Sequence, residues 1–226
     1  MTVLTRMPLN PARRGTRALL GSPQAMHAAV LAAFPPHEED RSQRVLWRVD
    51  RDATHSALLY LLSPTQPDLT HLVEQAGWPT ISRWESRDYE PLLNRLKPDQ
   101  RWAFRLTANP VRRVRPEGGG RGKVKAHITA AQQATWLLDR ADKHGFHIAT
   151  DPHGESAVAV RERHSLRFPR QNQTVSLATA TFEGVLEVRD AAALRNTLIE
   201  GLGRAKGYGC GLLTLAPLQG GGSTTQ

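Results

Sequence analysis

Three observations predict an α+β protein made of two tandem βαββαβ units. Strand-like and helix-like stretches recur in the same order in each half of the chain. A proline-spotted stretch ending at Lys97-Pro98 falls near the middle. The length, 226 residues, suits two small domains with cores of their own.

In the first half, "TVLTRMPLN" alternates as a strand does, and "PARRGTRALLG" reads as a basic turn. Ser22 as N-cap and Pro23 at the first helical position then open a helix, "QAMHAAVLAAF", which Pro35-Pro36 stops. "RVLWRVD" and "SALLYLLS" read as strands joined by "RDATH", and "DLTHLVEQAG" as a helix. The irregular stretch holding Pro79, Pro91 and Pro98 leaves room for a last strand. The second half repeats the order. "QRWAFRLTANP" is a strand, "TAAQQATWLLDRADKHG" an amphipathic helix, and "FHIAT", "AVAVRERHSL" and "TVSLATATFEGVLEV" are strands. "DAAALRNTLIEGLG" is the last helix and "CGLLTLAP" the last strand. Two such units are two ferredoxin-like domains, expected over residues 1–96 and 97–226, the second with extra hairpin sequence.

A hydrophobic fraction of 39% with 23% charged residues suits a globular protein, and no apolar run approaches the ~18 residues a membrane span needs. Arg6, Pro8 and Asn10 interrupt any signal-peptide core, so a cytoplasmic protein without membrane partners is expected. The single cysteine, Cys210, excludes an internal disulfide and a cysteine-rich zinc site.

Thirty Lys and Arg stand against 21 Asp and Glu, a balance that favours polyanionic partners. The basic residues cluster. "ANPVRRVRPEGGGRGKVKAH" carries Arg112, Arg113, Arg115, Arg121, Lys123 and Lys125 against only Glu117, on two strand-like arms about a glycine turn. "VRERHSLRFPRQNQ" places Arg161, Arg163, Arg167 and Arg170 along another hairpin, and strict alternation would put Arg161 and Arg163 on one face. A charge run is usually a solvated face. Two basic hairpins in one small protein favour phosphate contact, for which the planar arginine fork is suited.

Near the C-terminus, "GLGRAKGYGCGLLTLAP" crowds five glycines around Arg204 and Lys206. The spacing fails the dinucleotide fingerprint and the P-loop, and the order helix–loop–strand is wrong for both. A phosphate nest of bare N–H groups and a tight connection to a core strand remain, and the residues alone do not separate them.

That stretch resembles the C-terminal glycine-rich signature of the CasE-type CRISPR-associated repeat-RNA endonucleases, of the RAMP superfamily and type I-E systems. "LTANP" at 106–110, "QATWL" at 133–137, "FEGVLEV" at 182–188 and "MH" in the early helix resemble their counterparts in the same order, over nearly the whole chain. The resemblance implies two tandem ferredoxin-like domains. It also implies metal-independent cleavage of precursor CRISPR RNA within the repeat, beside its hairpin, by 2′-hydroxyl attack giving a cyclic phosphate. No cofactor is implied. The implied partners are the repeat hairpin, in precursor and mature guide RNA, and the other subunits of a surveillance complex. His27 stands at the family's catalytic histidine, the Arg161–Arg170 group at its RNA-binding hairpin, and Gly207 with Arg204 and Lys206 in its glycine loop.

Without the resemblance, His27, with Leu31 and Phe34 on its side of the helix, would read as a packed helix histidine. His144, His147, Asp151 and His153 could be offered as metal ligands, but their spacing straddles a helix end and a strand start. The chain departs from the family at Gln24, where a tyrosine precedes the histidine by three residues. An amide orients a phosphate or a water but shuttles no proton. His27 then works alone, or Tyr208, Ser22 or a lysine substitutes, or activity is weak. Alternatively the chain is a non-catalytic RNA-hairpin-binding subunit of the same complex. A general basic binder of double-stranded nucleic acid is the third reading.

Overall fold

The computed structural model describes residues 2–35, 44–51, 56–79, 84–115, 122–151, 153–170 and 173–218. Two antiparallel sheets carry the fold. The first is formed by β1 (Val3–Leu9), β2 (Leu46–Arg51), β3 (Ala57–Ser63) and β4 (Glu85–Asp88), in the order β2-β3-β1-β4. The second is formed by β5 (Arg101–Ala108), β8 (Phe146–Ile148), β10 (Gln173–Val188) and β11 (Leu213–Ala216), in the order β11-β5-β10-β8; β9 (Val158–Arg170) extends it as a long hairpin with β10. Numbered within each unit, both sheets run second-third-first-fourth strand once the hairpin strands are counted as one, with the order read from opposite edges. The matching tandem units are ferredoxin-like, as the sequence predicts.

Of the first unit's helices, α2 (Pro23–Leu31) starts as read: the Ser22 side chain accepts from the Ala25 N–H at 3.2 Å and Pro23 occupies the first turn. The stretch expected as a basic turn is instead a helix, α1 (Arg14–Gly21). Its residues are explained by its neighbour α3 (Thr70–Ala76). The Arg13 guanidinium donates to the Val73 and Gly77 carbonyls at 3.2 and 3.1 Å, and Thr16 to the Ala76 carbonyl at 3.1 Å, satisfying the orphan carbonyls of that helix end. Gly15 lets the two helices touch: a Cβ there would lie 2.3 Å from the Gln75 carbonyl oxygen. The irregular stretch also holds a short helix not foreseen, α4 (Glu90–Arg95), with Pro91 in its first turn.

In the second unit, β6 (Val111–Val114) and β7 (Lys123–Ala126) pair as a separate two-stranded ribbon before α5 (Ala130–Ala141). A Thr129–Gln132 capping box fixes the start of α5, and α6 (Ala191–Glu200) is capped by Asp190, which accepts from the Ala192 and Ala193 N–H groups. Cys210 is fully buried and its thiol is pushed up to about 12 by desolvation, which makes it core and no nucleophile.

Two hydrophobic clusters show how the units join. Met7, Leu9, Met26, Val30, Trp47, Leu59, Leu61 and Leu72 fill the space between the first sheet and α1–α3. The other cluster is shared: Leu46 and Leu62, together with Leu93 and Leu96 at the end of the first unit, pack with Trp102, Phe104, Phe182 and Leu198 of the second. Strand β2 serves both because side chains alternate across it. Trp47 and Val49 face the helices, and Leu46 and Arg48 face the second unit. Arg48, 2% exposed, is the strut. It pairs with Asp50 at 2.6 Å and donates to the Arg105 and Leu212 carbonyls, each at 2.9 Å, and to the Thr214 hydroxyl at 3.0 Å.

Candidate active site

His27 lies at the middle of α2, half-buried, with Met26 and Val30 fixing the buried face of the helix. Its Nδ1 accepts the indole N–H of Trp47 at 3.3 Å. Over its other ring nitrogen passes the glycine loop of the second unit. A Cβ on Gly207 would lie 3.1 Å from His27 Nε2, so the bare backbone here is set by the histidine. Gly209, two residues on, has φ 77°, and a Cβ on it would come within 2.7 Å of the Trp47 ring. Gly207 sits inside a 3-10 turn, Lys206–Tyr208, that is entered through Ala205 at φ 63° and left through Gly209. His27 and Trp47 thus come from one unit and their cover from the other.

A cleft of about 400 Å³ opens beside this pair. Met26, Trp47, Tyr208 and Gly209 form one wall, and Glu162, His164, Leu166 and Thr181 the other. Tyr208 stands edge-on to Phe168, ring centroids 5.0 Å apart, which ties the loop to the β9–β10 hairpin. Ser22 is engaged as the N-cap of α2. Gln24 is exposed on the first turn of α2.

The basic residues divide. Arg112, Arg113, Arg115, Lys123 and Lys125 are exposed along the β6–β7 ribbon, while Arg121 lies outside the described residues. Arg161, Arg163 and Arg167 line β9, all three exposed; Arg170 ends that strand, its side chain outside the described set. Arg161 and Arg163 do not share a face as alternation predicts. Glu162 has φ 39°, and the pairing slips between Arg161 opposite Thr181 and His164 opposite Thr179. This bulge turns Arg161 toward Glu183, 4.0 Å away, and Arg163 onto the Ile128 carbonyl at 2.6 Å. The second contact brings β9 against the segment leaving β7, so the two basic hairpins meet at one place.

The cations of the glycine loop differ. Arg204 is exposed. Lys206 directs its ammonium to the Glu200 carbonyl at the C-terminal end of α6, where a cation answers the helix dipole. Burial, with Arg44 adding to it and Glu200 opposing, holds Lys206 below the ordinary lysine value.

The histidines weighed as metal ligands have separate partners. His144 meets the Thr197 hydroxyl at 3.0 Å and His147 meets Asp142 at 3.2 Å. Among the described residues no three His, Cys, Asp or Glu side chains gather as a metal set. Burial first, then Lys143, Lys206 and Arg140, lower His144 from its ordinary value, and burial with Arg112 and Arg140 lowers His127. No described helix is long and apolar enough to cross a membrane.

Sequence reasoning missed Trp47, Arg48 and Glu162. Strand alternation places Trp47 on the helix-facing side of β2, but its meeting with His27 depends on how α2 crosses the sheet.

The family described as "CRISPR associated protein" matches residues 3–217. This chain belongs to that family. Its relatives include the CRISPR-associated endoribonuclease Cse3 of Thermus thermophilus, 30% identical over 220 residues that make up 95% of this chain and 99% of the relative. The CRISPR system Cascade subunit CasE of Escherichia coli is 27% identical over 200 residues, 85% of this chain and 91% of the relative. A structure of Thermus thermophilus Cse3, bound to an RNA representing a pre-cleavage complex, superposes with a TM-score of 0.81 at 31% identity, covering 96% of this chain and 99% of the other. The tandem arrangement is therefore the family's fold, and the cleft between Trp47 and the β9–β10 hairpin lies in a chain aligned over nearly its full length to an endoribonuclease.

Proposed function

We propose that this protein is the endoribonuclease that matures CRISPR RNA: it binds the repeat hairpin, cuts beside it and keeps the product as a subunit of a surveillance complex. The observation that carries this reading is the placing of His27 against Gly207, with its hydrogen-bond partner Trp47 lining a cleft flanked by the β9–β10 hairpin. Likeness to Cse3 and CasE, the one named an endoribonuclease and the other a Cascade subunit, supports the substrate and the assembly.

Such a reaction needs no cofactor. The 2′-oxygen of the nucleotide before the cut forms a bond to phosphorus as the P–O5′ bond breaks. The 2′-hydroxyl gives up one proton and the 5′-oxygen gains one, so a cyclic phosphate and a 5′-hydroxyl result. The enzyme holds the strand in line and offsets the charge that gathers on the phosphorane oxygens. His27 supplies an imidazole at that phosphate, Gly207 lets the backbone come close, and Arg204 with the basic hairpins offsets backbone charge. Arg112, Arg113, Arg115, Lys123 and Lys125 on one hairpin, and Arg161, Arg163 and Arg167 on the other, form the RNA-binding surface.

The exposed amide at Gln24 favours the second reading, a subunit that holds the hairpin without cutting it. Wild type and His27→Ala, incubated with labelled repeat RNA in EDTA, separate the two. The expected result is one cut ending in a cyclic phosphate for wild type, with the mutant slower by about 10²–10³-fold and its RNA affinity kept. Tight binding with no cut by either protein would favour the holding subunit.

A further inference from the structure

We infer that Trp47 is a positioning residue for His27: its indole N–H fixes which ring nitrogen carries the proton, so that the ring meets the phosphate as a donor through Nε2. This rests on the proposed role of His27.

An indole nitrogen only donates, so His27 Nδ1, 3.3 Å away, is the accepting nitrogen. A neutral imidazole that accepts at Nδ1 carries its proton on Nε2, and Nε2 is the nitrogen that faces Gly207. The donor is itself locked. Trp47 is 4% exposed in the core of the first unit, and Gly209 passes over its ring so closely that a Cβ would come within 2.7 Å of it. The tryptophan therefore cannot swing out from under the loop without moving it. Gly207 and Gly209 act as a pair, one clearing the histidine and the other seating the tryptophan.

This geometry narrows the chemistry. In its neutral form a ring held in this way has no lone pair at Nε2 with which to take the 2′-hydroxyl proton. It offers an N–H to a non-bridging phosphate oxygen, and no proton leaves the ring in doing so. A neutral donor fixed in place before the substrate arrives stabilises the phosphorane charge without reorganising. Trp47 touches no RNA in this scheme.

The test has two parts. In wild-type protein labelled with 15N on histidine, the His27 signals, identified by their loss in His27→Ala, are expected to show a protonated Nε2 and an unprotonated, hydrogen-bonded Nδ1. This needs no folded variant of Trp47. Trp47→Phe keeps an aromatic ring beneath Gly209 and removes the N–H. It is expected to slow single-turnover cleavage at saturating repeat RNA by roughly 10–100-fold while leaving RNA affinity within about twofold, and to shift the Nδ1 resonance. A His27 proton on Nδ1 in the wild type, or Trp47→Phe cleaving at the wild-type rate, would overturn the inference. If His27→Ala itself cleaves normally, the catalytic reading of His27 fails first.

Discussion

The two units share one strand order and differ most in the segment after their first strand. Beyond β1, residues 10–22 fold as α1 and lead into α2; beyond β5, residues 109–129 hold the β6–β7 ribbon and lead into α5. The first insertion turns inward. Thr16 and Leu19 are buried, and Arg13 is used on the carbonyls of α3. The second insertion turns outward and leaves Arg112, Arg113, Arg115, Lys123 and Lys125 in solvent. The same topological gap thus holds a helix that shapes the setting of α2 in one unit and a charged arm in the other. The difference teaches a division of labour: the first unit positions the imidazole, and the second supplies the charge and the loop that covers it.

The most disruptive way to break this comparison is to separate the units. Arg48→Ala leaves Asp50 without its nearest cation and the Arg105 and Leu212 carbonyls without their buried donor. Removing one partner of a buried pair costs about 3–5 kcal/mol. Urea unfolding is expected to show a loss of that size. It should also show a single transition, because the shared cluster couples both units. A loss under about 1 kcal/mol would mean that the pair behaves as an exposed one, and that apolar contacts alone join the units.

A sharper test leaves the fold alone. Replacing Arg112, Arg113, Lys123 and Lys125 by Gln removes charge from a ribbon whose basic side chains stand in solvent. The logarithmic salt dependence of RNA binding is expected to fall by about 0.7–0.9 for each phosphate no longer neutralised. Cleavage of RNA already bound should keep its rate, the reverse of the effect expected for His27→Ala. A slope equal to that of the wild type would place the RNA elsewhere.

Much of this architecture was legible in the sequence alone. Ser22 and Pro23 marked α2 because a cap and a fixed φ are local chemistry. The repeated βαββαβ order needed only periodicity. The features that escaped were non-local. Arg13, Arg14 and Gly15 carry turn-like composition, and they make a helix because α3 offers carbonyls to cap and a surface that only glycine can approach. Arg161 and Arg163 look alike in the sequence until one extra residue in β9 parts them. His27 was found through family resemblance. Trp47, on a strand some twenty residues later, carries no local signal of the hydrogen bond that joins it to His27.

The smallest expected effect lies within the glycine loop, where Arg204 and Lys206 look equivalent in the sequence. Arg204 is exposed and can meet a phosphate, so Arg204→Ala should lower the salt slope by about 0.7–0.9. Lys206 already answers the end of α6. Lys206→Met should leave the slope unchanged and alter stability instead, with a pH signature. Because the lysine lies below its ordinary value of 10.5 in the folded protein, the unfolded chain binds more protons across the window between the two values. Wild-type stability therefore gains a contribution from this group as pH rises through that window, and the Met variant lacks it. Denaturant midpoints of both proteins, followed from neutral pH toward about 10, measure the difference. A reduced salt slope in Lys206→Met would show the ammonium leaving Glu200 for the RNA, and the two cations of the loop would then share one role.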